Sequence, residues 1–319
     1  MLSRCMARSL SIVGAGRVGA TLAKRLRSLG WRIGAVVTRS PRTARAAVRA
    51  IGAGEPHSNF TPASLKAILV ADVILITTPD DSLASVAHKL AKIGAPSRRS
   101  WRGKVVLHAS GALDRTVLAP LARLGAAAGS LHPMQTFSGR DIHNGHNGHN
   151  GHDRHNGPAL KGVTFAIEGD VHARRIARAI VRALGGVPVA IAGRDKPAYH
   201  ATAVLAAGSG FALIEASVQI LESLGFSRRR ALQTLLPLIR QMLDNIERLG
   251  PRAAWTGPVS RGDYDVVAWH ARALRSRPPE FAQSYAALAR LAGRVLAKNP
   301  AAALRGIERA LQKSSGGTS

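Results

Sequence analysis

Apolar and polar positions change rhythm along the chain. Leu10 to Val13 is a short apolar run that stops at Gly14-Ala15-Gly16-Arg17-Val18-Gly19. From Ala20 to Leu29 the apolar positions recur every three or four residues, and Gly30 ends the pattern. A buried strand, a glycine turn and a helix are therefore predicted in immediate succession. Further strands are predicted at Trp31 to Val37, Ala71 to Thr77, Lys104 to His108 and, more weakly, Ala126 to Leu131. Val163 to Glu168 and Val187 to Ile191 read as two more, with a helix over Val171 to Leu184 between them. Strands alternating with Ala- and Leu-rich helices imply an α/β class and a doubly wound parallel sheet.

After about residue 193 the strand rhythm disappears. Tyr199 to Leu224, Ser227 to Leu249, Tyr264 to Leu274, Pro279 to Ala297 and Ala301 to Gln312 all carry helical spacing, punctuated by Gly225, Gly250 and Pro278. The expected organisation is a Rossmann-type domain over residues 9–193 and an all-helical domain over 194–315. A chain of 319 residues is long enough for two such domains. Residues 139–157 interrupt the first. His143, His146, His149, His152 and His155 recur every third residue within Asn-Gly-His repeats, with no apolar residue beyond Ile142. This low-complexity tract reads as a loop insertion, with opportunistic Ni, Cu or Zn binding the alternative, and no metal site is assigned to it.

The charge sum alone suggests nucleic acid. There are 45 basic and 18 acidic residues, a formal net charge of +27. The distribution argues otherwise. Arg98-Arg99, Arg174-Arg175 and Arg228-Arg229-Arg230 are the longest clusters, and aromatics make up 4% of the chain, too few for stacking platforms. Neither nucleic acid nor a membrane is an expected partner, since no uninterrupted apolar stretch of about 18 residues is present. Cys5 is the single cysteine, so no intrachain disulfide forms. The basic start, Met1 to Ser9, leads into a short run broken by glycines, without the apolar core of a secretory signal. The expected compartment is the cytoplasm.

The glycine turn carries the first chemistry. Following a strand and opening a helix, Gly14, Ala15, Gly16, Arg17, Val18 and Gly19 form a dinucleotide fingerprint: a tight turn, a close approach for a pyrophosphate, and a tight helix–strand contact. Backbone N–H groups at the helix start then face the phosphates. At the end of the second strand an NAD-binding chain places a carboxylate. This chain has Thr38, Arg39, Ser40 and Arg42 instead, and two guanidiniums with two hydroxyls suit a 2′-phosphate. NADP, as NADPH, is the expected cofactor in preference to NAD. Thr78, Pro79 and Asp80 end the following strand, where the nicotinamide ribose would pass; Asp81 is read as capping the next helix.

Candidate reacting groups lie at strand ends. Ser110 sits in His108-Ala109-Ser110-Gly111 and His132 in Leu131-His132-Pro133-Met134, both where open α/β sheets bind ligands. His132 suits a proton donor or a polarising hydrogen bond, whereas His108 reads as structural. Lys196 and His200 are four apart and share a face if helical. Lys196 is a candidate proton donor or carboxylate ligand, with an ordinary solvated lysine the alternative. In the loop from Thr256 to Asp263, Arg261 is a candidate carboxylate clamp, with Thr256 and Asp263 beside it; Asp263 also suits a helix cap.

Taken together these segments resemble a family of oxidoreductases in which a Rossmann-like domain precedes a helical domain of unknown function. The resemblance rests on Ile12 to Gly19, Thr77 to Asp81, His108 to Gly111, His132 to Phe137, Lys196 with Tyr199-His200, and Thr256 to Asp263, and spans about residues 9–275. That family is similar to the 6-phosphogluconate dehydrogenase-like superfamily, with ketopantoate reductase, pyrroline-5-carboxylate reductase and prephenate dehydrogenase among its relatives. The resemblance implies an NAD(P) site beside a helical domain that often dimerises, so a homodimer is expected. Ser110 and His132-Pro133-Met134 look like the serine and histidine motifs of prephenate dehydrogenase. Lys196 with His200 looks like the Lys and Asn pair of ketopantoate reductase, with His in place of Asn; the insertion after Phe137 also departs from the pattern. The implied activity is NADPH-dependent reduction of a small carboxylated ketone, a 2-oxo acid, with His132 or Lys196 giving the proton and Arg261 or Lys196 holding the carboxylate. Imine reduction and a non-catalytic NADP-binding regulator are the alternatives.

Overall fold

The computed structural model describes residues 9–95, 100–138 and 160–315. The histidine-rich tract, Cys5 and Arg98-Arg99 lie outside them. The described chain divides into two compact units at Gly208.

The first unit contains the strands β1 (Ser9–Val13), β2 (Arg32–Thr38), β3 (Glu55–Ser58), β4 (Val73–Ile76), β5 (Val105–His108), β6 (Ala127–Pro133), β7 (Thr164–Gly169) and β8 (Val187–Ala190). Its helices are α1 (Arg17–Ser28), α2 (Pro41–Ile51), α3 (Pro62–Ile68), α4 (Asp80–Gly94), α5 (Ala119–Ala122), α6 (Val171–Ala183) and α7 (Lys196–Ala203). One sheet runs in the order β3-β2-β1-β4-β5-β6-β7-β8. Side chains alternate across it, so Leu10 and Ile12 enter a core with Leu22 and Leu26 of α1 and Ile176 and Ile180 of α6. Val13 enters the opposite core with Leu83, Val86 and Leu90 of α4. Both faces are covered, which is why these strands read as continuous apolar runs.

Two features differ from the sequence expectation. β7 runs antiparallel to β6, pairing Ala166 with His132, so the sheet is mostly and not wholly parallel. β3 was not anticipated; its residues Glu-Pro-His-Ser show no apolar rhythm because it is an edge strand paired only with β2.

The second unit is helical: α8 (Ser209–Ser223), α9 (Arg228–Leu249), α10 (Pro251–Ala254), α11 (Pro258–Arg261), α12 (Tyr264–Ala273), α13 (Pro279–Val295) and α14 (Pro300–Ser315). Val267 and Ala268 of α12 and Ala310 of α14 form its core, with Tyr264 and Tyr285 against them. Arg228 clasps Glu215 through both terminal nitrogens, at 3.0 and 2.7 Å, and so pairs α8 with α9. These two helices bury little: Phe211, Leu238, Met242, Leu243 and Leu249 are all at least half exposed.

A π-helical turn at Val204–Gly208 joins α7 to α8. The continuous helical segment Gly193–Ser223 is, by length and composition, apolar enough to cross a membrane, contrary to the expected lack of such a stretch. Its first part is nevertheless anchored by a fully buried charge, Lys196.

Candidate active site

The glycine turn has the expected form. Gly14 is left-handed at φ +89°, and a Cβ there would lie 2.7 Å from the Thr78 backbone nitrogen. A Cβ on Gly19 would overlap the Thr77 hydroxyl, which donates to the Gly14 carbonyl at 2.5 Å. Gly16, by contrast, faces open space. It is the N-cap of α1, makes no side-chain cap, and no acid occupies the first turn. Free N–H groups and an open cradle fit a pyrophosphate. A second observation agrees: the Thr78 hydroxyl is buried without a hydrogen-bond partner among the described residues. Such a group costs free energy unless a ligand satisfies it.

At the end of β2, Ser40 caps α2 by accepting from Thr43 N at 3.2 Å, and the Thr38 hydroxyl donates to Ser40 O at 3.0 Å. Both hydroxyls are therefore used to shape the turn. Arg39 and Arg42 stand exposed beside it. At the end of β4, Pro79 is the N-cap of α4, so Asp80 and Asp81 lie within the first helical turn. Asp81 accepts from Ser82 and makes no cap, because the helix starts two residues earlier than the capping reading requires. Both acids still favour the positive end of α4.

The β5 end is a closed hydrogen-bonded loop. His108 is fully buried; its Nδ1 accepts from Ser110 N at 3.2 Å, so its Nε2–H donates to the Asp114 carbonyl at 3.1 Å. Burial, then the Lys196 charge, pulls its pKa down to about 3, and the ring is a neutral brace. The Ser110 hydroxyl donates to Asp80 Oδ2 at 2.8 Å and accepts from Ala112 N and Leu113 N. These bonds commit Ser110 to holding the loop and tie that loop to the start of α4.

His132 lies on β6 in a partly exposed position. Its Nδ1 is 3.4 Å from the Tyr199 hydroxyl, whose oxygen also takes a backbone hydrogen bond from Ala166. The rings of Tyr199 and His200 stand edge-on to it, with centroids 5.6 and 5.5 Å away. Among the described residues Nε2 has no protein partner, and it faces Gly111: a Cβ on that glycine would lie 2.8 Å from Nε2 and inside contact distance of His200. Desolvation first, then His200 and Lys196, lowers the His132 pKa to about 4. The site thus presents a neutral imidazole with one nitrogen braced and the other available.

The helix α7 reaches this strand in register. Ser130 and His132 are two apart on β6, about 6.6 Å, and Lys196 and Tyr199 are nearly one turn apart on α7, about 5 Å. Lys196 meets Ser130 and Tyr199 meets His132. Lys196 is fully buried, and its Nζ donates to Ser110 O and Ser130 Oγ, both at 2.9 Å. It is neither a solvated lysine nor directed at open space. Tyr199, Gly111 and Ser130 were missed as site residues; Tyr199 and Gly111 stood within the segments that carry the family resemblance but were given no role, and Ser130 was not singled out.

The remaining candidates lie in the second unit. Arg261 Nε donates to Asp263 Oδ2 at 2.9 Å, and both are exposed. Asp263 stands at the N-cap of α12 without a side-chain cap, since its carboxylate is turned to Arg261. Thr256 is exposed on the turn before α11. The described residues hold no group of three or more His, Cys, Asp or Glu able to bind a metal.

Comparison with known proteins covers both units. A Rossmann-like domain model matches residues 3–133, and the model of a domain of unknown function, DUF2520, matches residues 163–292. No curated protein matches the chain. A proposed NADP oxidoreductase from Bacteroides fragilis has a similar structure, with TM-score 0.67 and 21% identity over 88% of this chain and 96% of that one. The Streptomyces aurantiacus imine reductase aligns with TM-score 0.58 and 15% identity over 93% and 98%. A pyrroline-5-carboxylate reductase from Coxiella burnetii aligns with TM-score 0.50 and 14% identity over 98% of each chain. At these identities the likeness is one of fold. Along the chain a Rossmann-like domain is thus followed by a DUF2520 domain.

Proposed function

We propose that this chain is an oxidoreductase that uses NADPH to reduce a small carboxylated ketone, a 2-oxo acid of the ketopantoate type. The reading rests above all on His132: a neutral imidazole at a strand end, one nitrogen braced by Tyr199 and the other without a partner among the described residues. The carboxyl ends of β1, β4, β5 and β6 lie side by side, so about three strand spacings, some 14 Å, separate the glycine turn from His132. An extended dinucleotide spans that distance. Its fold likeness to an NADP oxidoreductase supports the same reading.

NADPH, when bound, supplies the hydride. The open face of Gly16 and the start of α1 would hold the pyrophosphate, Arg39 and Arg42 the 2′-phosphate, and the Thr78 hydroxyl a ribose or amide group. His132, as a neutral imidazole, would donate a hydrogen bond from its free Nε2–H to the substrate oxygen and polarise the carbonyl for hydride attack, and the alkoxide formed takes its proton from solvent. Lys196, enclosed and doubly bonded, leaves this task to His132. In the second unit, Arg261 is bonded to Asp263 through Nε.

A cyclic imine is the second substrate class, favoured by the fold likeness to the two C=N reductases. We infer also a homodimer, built on the exposed apolar residues of α8 and α9, which one chain leaves in water. NADPH oxidation against a panel of 2-oxo acids and cyclic imines tests the activity. No oxidation with any member, together with NADP-dependent binding to a protein partner, would instead support a regulator.

A further inference from the structure

The mechanism above leaves a fully buried ammonium without a role in the chemistry. Lys196 Nζ donates to the Ser110 carbonyl and to Ser130 Oγ, each at 2.9 Å. Ser130 in turn donates to Glu168 Oε2 at 3.5 Å, and that oxygen accepts from Arg115 N at 2.8 Å. The residue after Ser110 is Gly111, which packs on both His132 and His200. His200 lies one turn beyond Lys196 on the same helix, and Ser130 lies two residues before His132 on the same strand face. Lys196 therefore grips the turn at its carbonyl while His200 closes over the next residue.

We propose that Lys196 is a positioning residue: its buried ammonium ties the Ser110–Gly111 turn to β6 and thereby fixes His132 and His200 around the free imidazole edge. This deepens the reading of His132 as the reacting group and rests on it. A lysine that only filled space would be replaceable by methionine, but removing this ammonium leaves the Ser110 carbonyl and the Ser130 hydroxyl without their donor. The charges around Lys196 show that it is held as a cation. Glu168 on β7, Asp80 on α4 and Asp114 in the β5 loop all attract it, while burial pulls its pKa down to about 8. His132 faces that cation and His200, and no carboxylate contributes to its shift. Lys196 thus acts on His132 in two ways, through the shape of the turn and through its charge.

The test is a pH titration of the His132 and His200 ring resonances by NMR, in the full chain without substrate or cofactor. It needs no turnover, so a failure of the reductase reading leaves it standing. Lys196→Met should raise the His132 midpoint by about 0.5 unit or more, because a like charge is removed, and should displace both rings' resonances. Lys196→Arg should keep the low midpoint. Ser130→Ala retains the cation but cuts one of its bonds, and should displace both rings with little change in midpoint. If Lys196→Met fails to fold, Ser130→Ala decides the matter. Wild-type resonances and midpoints in the folded variants would overturn the proposal.

Discussion

The Ser110 hydroxyl donates to Asp80 across 30 residues of sequence, at 2.8 Å, and joins the loop beside His132 to the first turn of α4. Asp80 lies two residues after Thr78, whose buried hydroxyl has no partner among the described residues, so one hydrogen bond links the proposed cofactor side of the site to the proposed reacting side. Ser110→Ala would strip Asp80 of its donor and leave Ala112 N and Leu113 N without an acceptor. The expected cost is about 2 kcal/mol of stability. Urea unfolding measures it, and a cost below about 0.5 kcal/mol would show that the loop does not depend on this hydroxyl.

Gly111 makes a steric prediction. Any Cβ there meets His132 Nε2 at 2.8 Å and overlaps the His200 ring. Gly111→Ala should therefore displace both imidazoles, lowering turnover by about 10²-fold while NADPH affinity is kept, since a small misplacement of a reacting group has that effect. Steady-state kinetics and cofactor titration read the two separately.

The buried histidine on β5 sets a pH dependence. His108 binds a proton near pH 3 in the folded chain and near 6.5 when unfolded. Between these values the unfolded state holds more protons, so stability rises with pH and is lost as pH falls below about 6.5. The slope is about 1.4 kcal/mol per pH unit from His108 alone. His132, lowered to about 4, adds in the same direction. Denaturant midpoints measured from pH 7.5 to 5.5 should fall, and His108→Asn should flatten the curve.

Cofactor preference is tested at β2. Arg39→Ala and Arg42→Ala should each weaken NADPH binding by about 1.5–3 kcal/mol and leave NADH binding nearly unchanged, as expected for charge-assisted contacts to a 2′-phosphate. Equal losses for both cofactors would place these arginines elsewhere in the binding mode.

Much of this arrangement was legible in the sequence because it is local. The strand–glycine turn–helix from Ser9 to Ser28 is specified by adjacent residues, and His108 and His132 announce themselves by following apolar runs. What was not legible is pairwise and distant. The commitment of Lys196 to Ser110 and Ser130 spans 86 and 66 residues, and nothing in the Lys-Pro-Ala-Tyr-His stretch distinguishes an enclosed ammonium from a reactive one. The reversal of β7 follows a connection through residues 139–157, whose composition says nothing of strand direction. Asp81 and Asp263 look like helix caps, yet the start of α4 at Asp80 and the pull of Arg261 give them other partners.

The central claim is that His132 reacts with a substrate reduced by NADPH. The direct measurement is NADPH oxidation by the wild-type chain and by His132→Ala against the same 2-oxo acids and cyclic imines, with cofactor affinity measured in parallel. Turnover with at least one class, reduced by about 10²–10⁴-fold in the variant at unchanged NADPH affinity, is the expected result. No turnover across the panel, or full turnover without the imidazole, would contradict it.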